Sequence, residues 1–176
     1  MSNKPVVATM TGDPCGIGPE VVVKSLALGG MYEQCRPVVF GCTESVQQAV
    51  DMLGLKLKVR RVTDVEGAGL DPAVIDVYDT GQLDPKFITP AKANAECGRA
   101  CAAWLQEIDA LALAGKVPST IMGPRNTDAL KIADKFDQVV SVEVRQPYPS
   151  RSPGPLHVLP LPAPPPRCPV PPPTPP

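Results

Sequence analysis

Histidine is all but missing from this chain: one stands among 176 residues, His157, and positions 1–146 hold none. The usual base for a serine or cysteine nucleophile is therefore absent from that whole stretch. His157 itself sits amid prolines, where a metal would lack both a rigid frame and partner ligands. An excess of either charge is missing too. Seventeen basic and eighteen acidic residues give a formal net charge of −1, which excludes an electrostatic grip on a phosphate backbone as the main job, so no nucleic-acid partner is expected. No run approaches the roughly eighteen consecutive apolar residues of a membrane span. The start, Met1-Ser-Asn-Lys-Pro, has no signal-peptide pattern. A soluble, cytoplasmic protein without a membrane partner is expected. The cysteines (Cys15, Cys35, Cys42, Cys97, Cys101 and Cys168) include no C-x-x-C pair, and without a secretory signal they read as isolated, reduced thiols rather than a disulfide framework.

Proline is scarce and then abundant. Positions 1–146 hold 9 of the 24 prolines and the last 30 positions hold 15. A half-proline segment supplies neither ladder donors nor helix interiors. The expected organisation is thus an α/β domain over residues 1–144, the size of one ordinary domain, and a disordered proline-rich tail over 145–176. The tail contains P-x-x-P spacings such as Pro162 to Pro165, the form of a polyproline II ligand, although composition alone generates them.

Within the first part, apolar β-branched runs alternate with helical patterns. Lys4–Met10 reads as a strand and Glu20–Leu28 as a helix. Arg36–Gly41 is a second strand, followed by a helix over Glu44–Leu53 with Thr43 as its cap and Gly54 as its end. Leu55–Val62 alternates apolar and basic side chains, as a half-exposed strand does, and Val74–Tyr78 is another strand candidate. A long helix is predicted from a Thr89 cap, with Pro90 in its first turn, to Gly115; Cys97, Cys101, Trp104, Ile108 and Leu111 form its apolar stripe. Val117–Met122, a helix over Thr127–Ala133 and a strand over Gln138–Val144 complete the pattern. Alternating elements of this kind predict a substantially parallel sheet between helices.

The segment richest in chemistry is Thr11-Gly-Asp-Pro-Cys-Gly-Ile-Gly-Pro-Glu20, between the first strand and the first helix. Gly16 and Gly18 would let the backbone bend and approach a ligand, and the first-turn amides would face an anion or a polar substrate edge. The other reading is a merely structural strand-to-helix turn. It is not a P-loop, since no Gly-Lys-Ser/Thr follows, and Val21 stands where a dinucleotide fingerprint has its third glycine. Asp13 and Glu20 bracket the turn, either as an acid/base or metal-binding pair or, more blandly, as a turn residue and a helix-dipole partner. Arg125 and Asn126 lie in a second strand-to-helix loop that could reach the same carboxyl edge of the sheet, with a helix cap by Asn126 or Thr127 as the alternative. Cys97 and Cys101 share a helix face, which places them in the core rather than on a metal.

The run TGDPCGIGPE resembles the N-terminal signature of the 4-hydroxythreonine-4-phosphate dehydrogenase family of vitamin B6 biosynthesis, Gly-Asp/Glu-Pro-Ala-Gly-Ile-Gly-Pro-Glu/Asp, with Cys15 in place of the alanine. AKANAECGRACAAWL (91–105) is similar to that family's long Ala/Gly-rich helix, and ALAGKVPSTIMGPRNTDAL (112–130) is similar to its "LALxGxVDAIVTAPxNKEAL" stretch, with Asn126, Ala129 and Leu130 in matching places. The resemblance implies an α/β layered fold of the isocitrate/isopropylmalate dehydrogenase kind, a homodimer, and a cleft that uses NAD and a divalent metal (Zn, Mg or Co). The implied substrate is a phosphorylated hydroxy acid, 4-phosphooxy-threonine or a relative, oxidised to a β-keto acid that then loses carbon dioxide.

The family's Gly-His-Thr-Glu motif and its later metal-binding histidines have no counterpart here; 134–144 reads DKFDQVVSVEV. No catalytic residue or metal ligand is therefore assigned, and Asp13, Gly16, Gly18, Glu20, Arg125 and Asn126 are the cleft candidates. The expectation is a truncated, inactive fragment whose sequence from about Arg145 derives from a shifted reading frame. The alternative is a non-catalytic module whose proline-rich tail recruits an SH3-like partner.

Overall fold

Five short runs rich in β-branched residues become five strands: β1 (Val6–Met10), β2 (Arg36–Phe40), β3 (Lys58–Val62), β4 (Val74–Tyr78) and β5 (Ser119–Met122). All pair in parallel, in the order β3-β4-β2-β1-β5. The computed structural model describes residues 4–135. The chain divides into two units, Met1–Arg145 and Gln146–Pro176, and every described residue belongs to the first. The strand expected over Gln138–Val144, the proline-rich tail, His157 and Cys168 lie outside the described residues.

Pleating sorts the side chains into two cores. Val6, Ala8 and Met10 of β1 and Val38 and Phe40 of β2 pack with Cys97, Cys101, Trp104, Leu105 and Ile108 of the long helix α4 (Ala95–Leu113). On the opposite face Val39, Ile75 and Val77 pack with Val22, Val23 and Leu26 of α1 (Gly18–Ala27) and Val46, Ala49 and Val50 of α3 (Thr43–Met52). Helices thus cover both faces of the sheet, the arrangement a parallel sheet requires. The predicted α4 stripe is the buried one, with Cys97 and Trp104 fully enclosed. The Trp104 indole N–H donates to Gln82 Oε1 at 3.2 Å, so its polar atom is satisfied. A six-residue helix, α5 (Thr127–Ile132), packs on α4. Gly98 makes that possible, since a Cβ there would stand 2.2 Å from the Ala129 carbonyl oxygen.

Three local expectations are corrected. The long helix starts at Ala95 rather than Pro90; its cap is Asn94, whose Oδ1 accepts from the Cys97 amide at 2.9 Å. Thr43 does not cap α3; it lies inside the helix, and its amide and hydroxyl both donate to Asp79 Oδ2, at 2.8 and 2.7 Å. A short helix not anticipated from the sequence, α2 (Met31–Gln34), sits before β2. Among the described residues no helix is long and apolar enough to cross a membrane.

Candidate functional site at the carboxyl edge of the sheet

Register fixes where the chemistry can be. Met10 pairs with Phe40 and with Met122, Phe40 pairs with Tyr78, and Tyr78 pairs with Val62. All five strands therefore end at one level, and their loops leave from one edge, where open parallel sheets bind ligands.

Two of those loops are locked together. The Asp13 amide donates to the Pro124 carbonyl at 3.0 Å, and the Gly123 amide donates to the Met10 carbonyl at 2.8 Å. Backbones this close leave no room for side chains. A Cβ on Gly12 would stand 2.0 Å from Pro124 O, one on Gly18 1.9 Å from Thr11 O, and one on Gly123 2.5 Å from Met10 O. The bend expected at Gly16 and Gly18 is made at Gly12, whose φ of 78° lies in the left-handed region. Gly18 is required by packing. Gly16 is exposed, and a Cβ there would meet nothing nearer than 3.5 Å. Gly12, Gly18 and Gly123 thus serve the close approach of the two loops, the space beside each being taken by the chain's own carbonyls. Pro19 also withholds an amide from the first turn of α1, and Glu20 sets a negative charge there.

Asp13 and Glu20 have different surroundings. Asp13 is 2% exposed; its Oδ1 accepts from the Cys15 amide at 2.9 Å, while Oδ2 is buried without a hydrogen-bond partner. Glu20 accepts from Lys24 Nζ at 2.6 Å, one turn on along α1, a pair on the helix surface. In the other loop Asn126 acts as a cap: its Oδ1 accepts from the amides of Asp128 and Ala129, at 2.9 and 3.3 Å. Half-buried Arg125 precedes it, and its charge partly offsets the push on Cys101, whose thiol is driven well above its ordinary range by burial first and by Asp13 and Cys97 next.

What the sequence reading missed is how α4 meets the first loop. Cys15 Sγ lies 3.3 Å from Cys97 Sγ, so these thiols are free but not isolated. Cys15 Sγ also accepts from the Thr89 amide at 3.3 Å and from Asn94 Nδ2 at 3.5 Å, and the Cys101 thiol donates to the Gly12 carbonyl at 3.1 Å. Burial, followed by the Cys15 thiol, pushes Cys97 up to about 12. Cys15 and Cys97 are 82 positions apart, and the only sequence signal for their meeting was the apolar stripe that turned Cys97 toward the sheet.

Two groups of side chains among the described residues bring three potential metal-ligating atoms within 4.8 Å of one another: Asp13, Cys15 and Cys97, and Cys42, Glu44 and Asp79. In the second group the Asp79 carboxylate is already engaged by Thr43, by the Gly81 amide at 2.9 Å and by Arg61 at 3.5 Å.

No protein-family model matches the chain. It is 45% identical over 156 residues to a Novosphingobium aromaticivorans protein named for 4-hydroxythreonine-4-phosphate dehydrogenase, covering 88% of this chain and 47% of that protein. It is 31% identical over 134 residues to a Halalkalibacterium halodurans protein named for D-threonate 4-phosphate dehydrogenase, covering 76% of this chain and 40% of that one. The crystal structure of a 4-hydroxythreonine-4-phosphate dehydrogenase from Burkholderia phymatum superposes with a TM-score of 0.72 at 33% identity, over 77% of this chain and 41% of that chain. The chain spans less than half the length of these relatives. Over the matched residues it is a partial member of the 4-hydroxythreonine-4-phosphate dehydrogenase family.

Proposed function

We propose that this chain forms one wall of the cleft of an NAD-dependent, divalent-metal-dependent dehydrogenase with an isocitrate/isopropylmalate dehydrogenase-like layered fold. The reaction is oxidation of the secondary alcohol of 4-phosphooxy-threonine or a related phosphorylated hydroxy acid; hydride passes to the nicotinamide, the hydroxyl proton is released, and the β-keto acid loses carbon dioxide. One observation carries the reading. The two stretches that resemble the family, 11–20 and 112–130, come from opposite ends of the domain, yet the Asp13–Pro124 and Gly123–Met10 hydrogen bonds join them at the edge where five strands end. The relatives' names supply the substrate class.

Of the candidates, Arg125 suits an anionic substrate best, since a guanidinium offers paired donors to a carboxylate or phosphate. Exposed Gly16 leaves the backbone approachable, while Gly18, Asn126, Asp13 and Glu20 hold the wall in shape. The described residues do not fit the family's catalytic metal site at the cleft, because they include no histidine. We therefore expect these 176 residues alone to be inactive, as a fragment of the catalytic unit.

Two measurements test this. With NAD, a divalent metal and 4-phosphooxy-threonine, the 176-residue polypeptide should give no turnover above background; robust turnover contradicts the incomplete-site reading. In ligand-observed NMR the same substrate should bind weakly, and Arg125→Ala should weaken it by about tenfold, the size of one charge-assisted contact. Absence of binding to the unaltered chain overturns the cleft-wall assignment.

A further inference from the structure

Asp13 and Cys15 belong to the first loop of the wall just described, and their buried side chains meet Cys97 of α4. Their exposures are 2%, 4% and 0%, and their ligand atoms lie within 4.8 Å of one another. Three features make the group more than a chance meeting of core side chains. Asp13 Oδ2 is buried with no hydrogen-bond partner, a state that costs on the order of 1–3 kcal/mol unless something answers it. Cys15 Sγ accepts two N–H donors, from the Thr89 amide and Asn94 Nδ2, which fix the position of that sulfur beside Cys97. The Phe87 carbonyl oxygen, which accepts from Asn94 Nδ2 at 3.0 Å, borders both sulfurs at 3.9 Å, so polar atoms line this side of the pair. The Cys42, Glu44 and Asp79 group lacks the first of these features, because its aspartate is fully engaged.

We propose that Asp13, Cys15 and Cys97 bind a thiophilic divalent cation, zinc being the natural occupant, as a structural clip between the first loop and α4. Two thiolates and a carboxylate suit zinc and its surrogate cobalt far better than magnesium or calcium. Zn–S bonds of about 2.3 Å at a tetrahedral angle set two sulfurs about 3.8 Å apart, so the observed 3.3 Å needs only to open slightly. A disulfide would instead require closure to about 2.05 Å. Binding releases the two thiol protons to solvent, and no electrons change hands. The cation would give the open Asp13 oxygen a partner and offset two of the three negative charges that the two thiolates and the carboxylate bring to the core. Entry is beside Gly16, where a Cβ would stand 3.7 Å from Asp13 Oδ2 and where the chain is exposed.

The test is titration of the reduced, metal-stripped 176-residue chain with Co(II) in the absence of oxygen. The expected result is one equivalent bound, with sulfur-to-cobalt charge-transfer absorption in the near ultraviolet that Zn(II) bleaches by displacement. Cys15→Ser and Cys97→Ser should each diminish that absorption, Asp13→Asn should weaken binding by at least about tenfold, and Cys42→Ser should change nothing. Should the serine variants unfold, the unaltered chain still decides the matter: bound zinc should slow alkylation of Cys15 and Cys97 selectively, read by peptide mass spectrometry. Absence of the charge-transfer absorption, protection of other cysteines, or recovery of a Cys15–Cys97 disulfide with no metal uptake would each overturn the proposal.

Discussion

Three glycines in the first loop look alike in the sequence and differ in what they do. Gly12 combines a φ of 78° with a carbonyl oxygen 2.0 Å from where a Cβ would stand, so Gly12→Ala has to move the loop off Pro124. It should cost at least about 2 kcal/mol. Gly16→Ala, with its nearest neighbour at 3.5 Å, should stay within about 0.5 kcal/mol of the unaltered chain. Urea unfolding of the two variants checks the contrast, and equal costs would mean that the loop yields freely. Two buried acids make a second prediction at this scale. Burial raises the Cys42 thiol from 9.0 to about 11. Burial, then Asp76, raises the Tyr32 hydroxyl from 10.0 to about 12, and that hydroxyl donates to the Val74 carbonyl at 3.1 Å. Both groups keep their protons in the folded chain where the unfolded chain has lost them. Stability is therefore fully present below pH 9 and falls as the pH rises from 9 toward 11 for the thiol, and from 10 toward 12 for the phenol. The thiol's share is on the order of 2 kcal/mol. Chemical unfolding between pH 8 and 11 should show the decline, and Cys42→Ser should make it shallower by that thiol's share, the raised Cys97 and Cys101 thiols keeping the remainder.

Helix α4 separates what a sequence pattern specifies from what tertiary contact specifies. Its stripe at steps of three and four is a local property, and all of Cys97, Cys101, Trp104 and Ile108 are buried as that periodicity requires. Its start is not local. Thr89 and Pro90 satisfy the rules for a helix entrance, yet the Ala91 amide donates to the Cys15 carbonyl at 2.8 Å and Ala91 takes a φ of 61°. That contact, 76 positions away in the chain, holds 89–94 out of the helix and hands the cap to Asn94. The Asn94 side chain serves both sides, accepting from the Cys97 amide and donating to the Phe87 carbonyl at 3.0 Å. Asn94→Ala should therefore cost about 1–2 kcal/mol, whereas Thr89→Ala, which leaves the Thr89 amide in place, should cost less than about 0.5 kcal/mol; thermal melts followed by circular dichroism rank the two. The same division runs through the site. The strand-loop-helix identity of 11–20 and of 123–130 was legible, because each is set by its own residues. The pairing of Cys15 with Cys97, the capture of Thr43 by Asp79 and the packing need for Gly12 were not, because each depends on a partner far along the chain. The four-residue α2 is too short to show a period at all.

The two edges of the sheet differ in how they meet water. At one edge β3 carries exposed Lys58, Arg60 and Arg61, and charged side chains on an outer strand discourage pairing with another chain. Two of them are also tied inward, Arg60 to Asp76 at 2.6 Å and Arg61 to the Asp79 carbonyl at 2.8 Å. At the other edge β5 reads Ser-Thr-Ile-Met, with no charge, and Ile121 is 45% exposed on the face away from α4. Among the described residues nothing pairs with the far side of β5. An uncharged outer strand with a β-branched apolar side chain is the arrangement that recruits further strands, so the 176-residue chain should associate through this edge as its concentration rises. Ile121→Lys should suppress that association without disturbing the fold, since the side chain already reaches solvent. Leu28→Lys, at an 86% exposed position just beyond α1, removes a comparable apolar side chain from a helix end and should leave association unchanged. Sedimentation velocity over a concentration series separates the cases: equal suppression by both variants would point to general surface stickiness, and suppression by neither would mean that the β5 edge is already protected in solution.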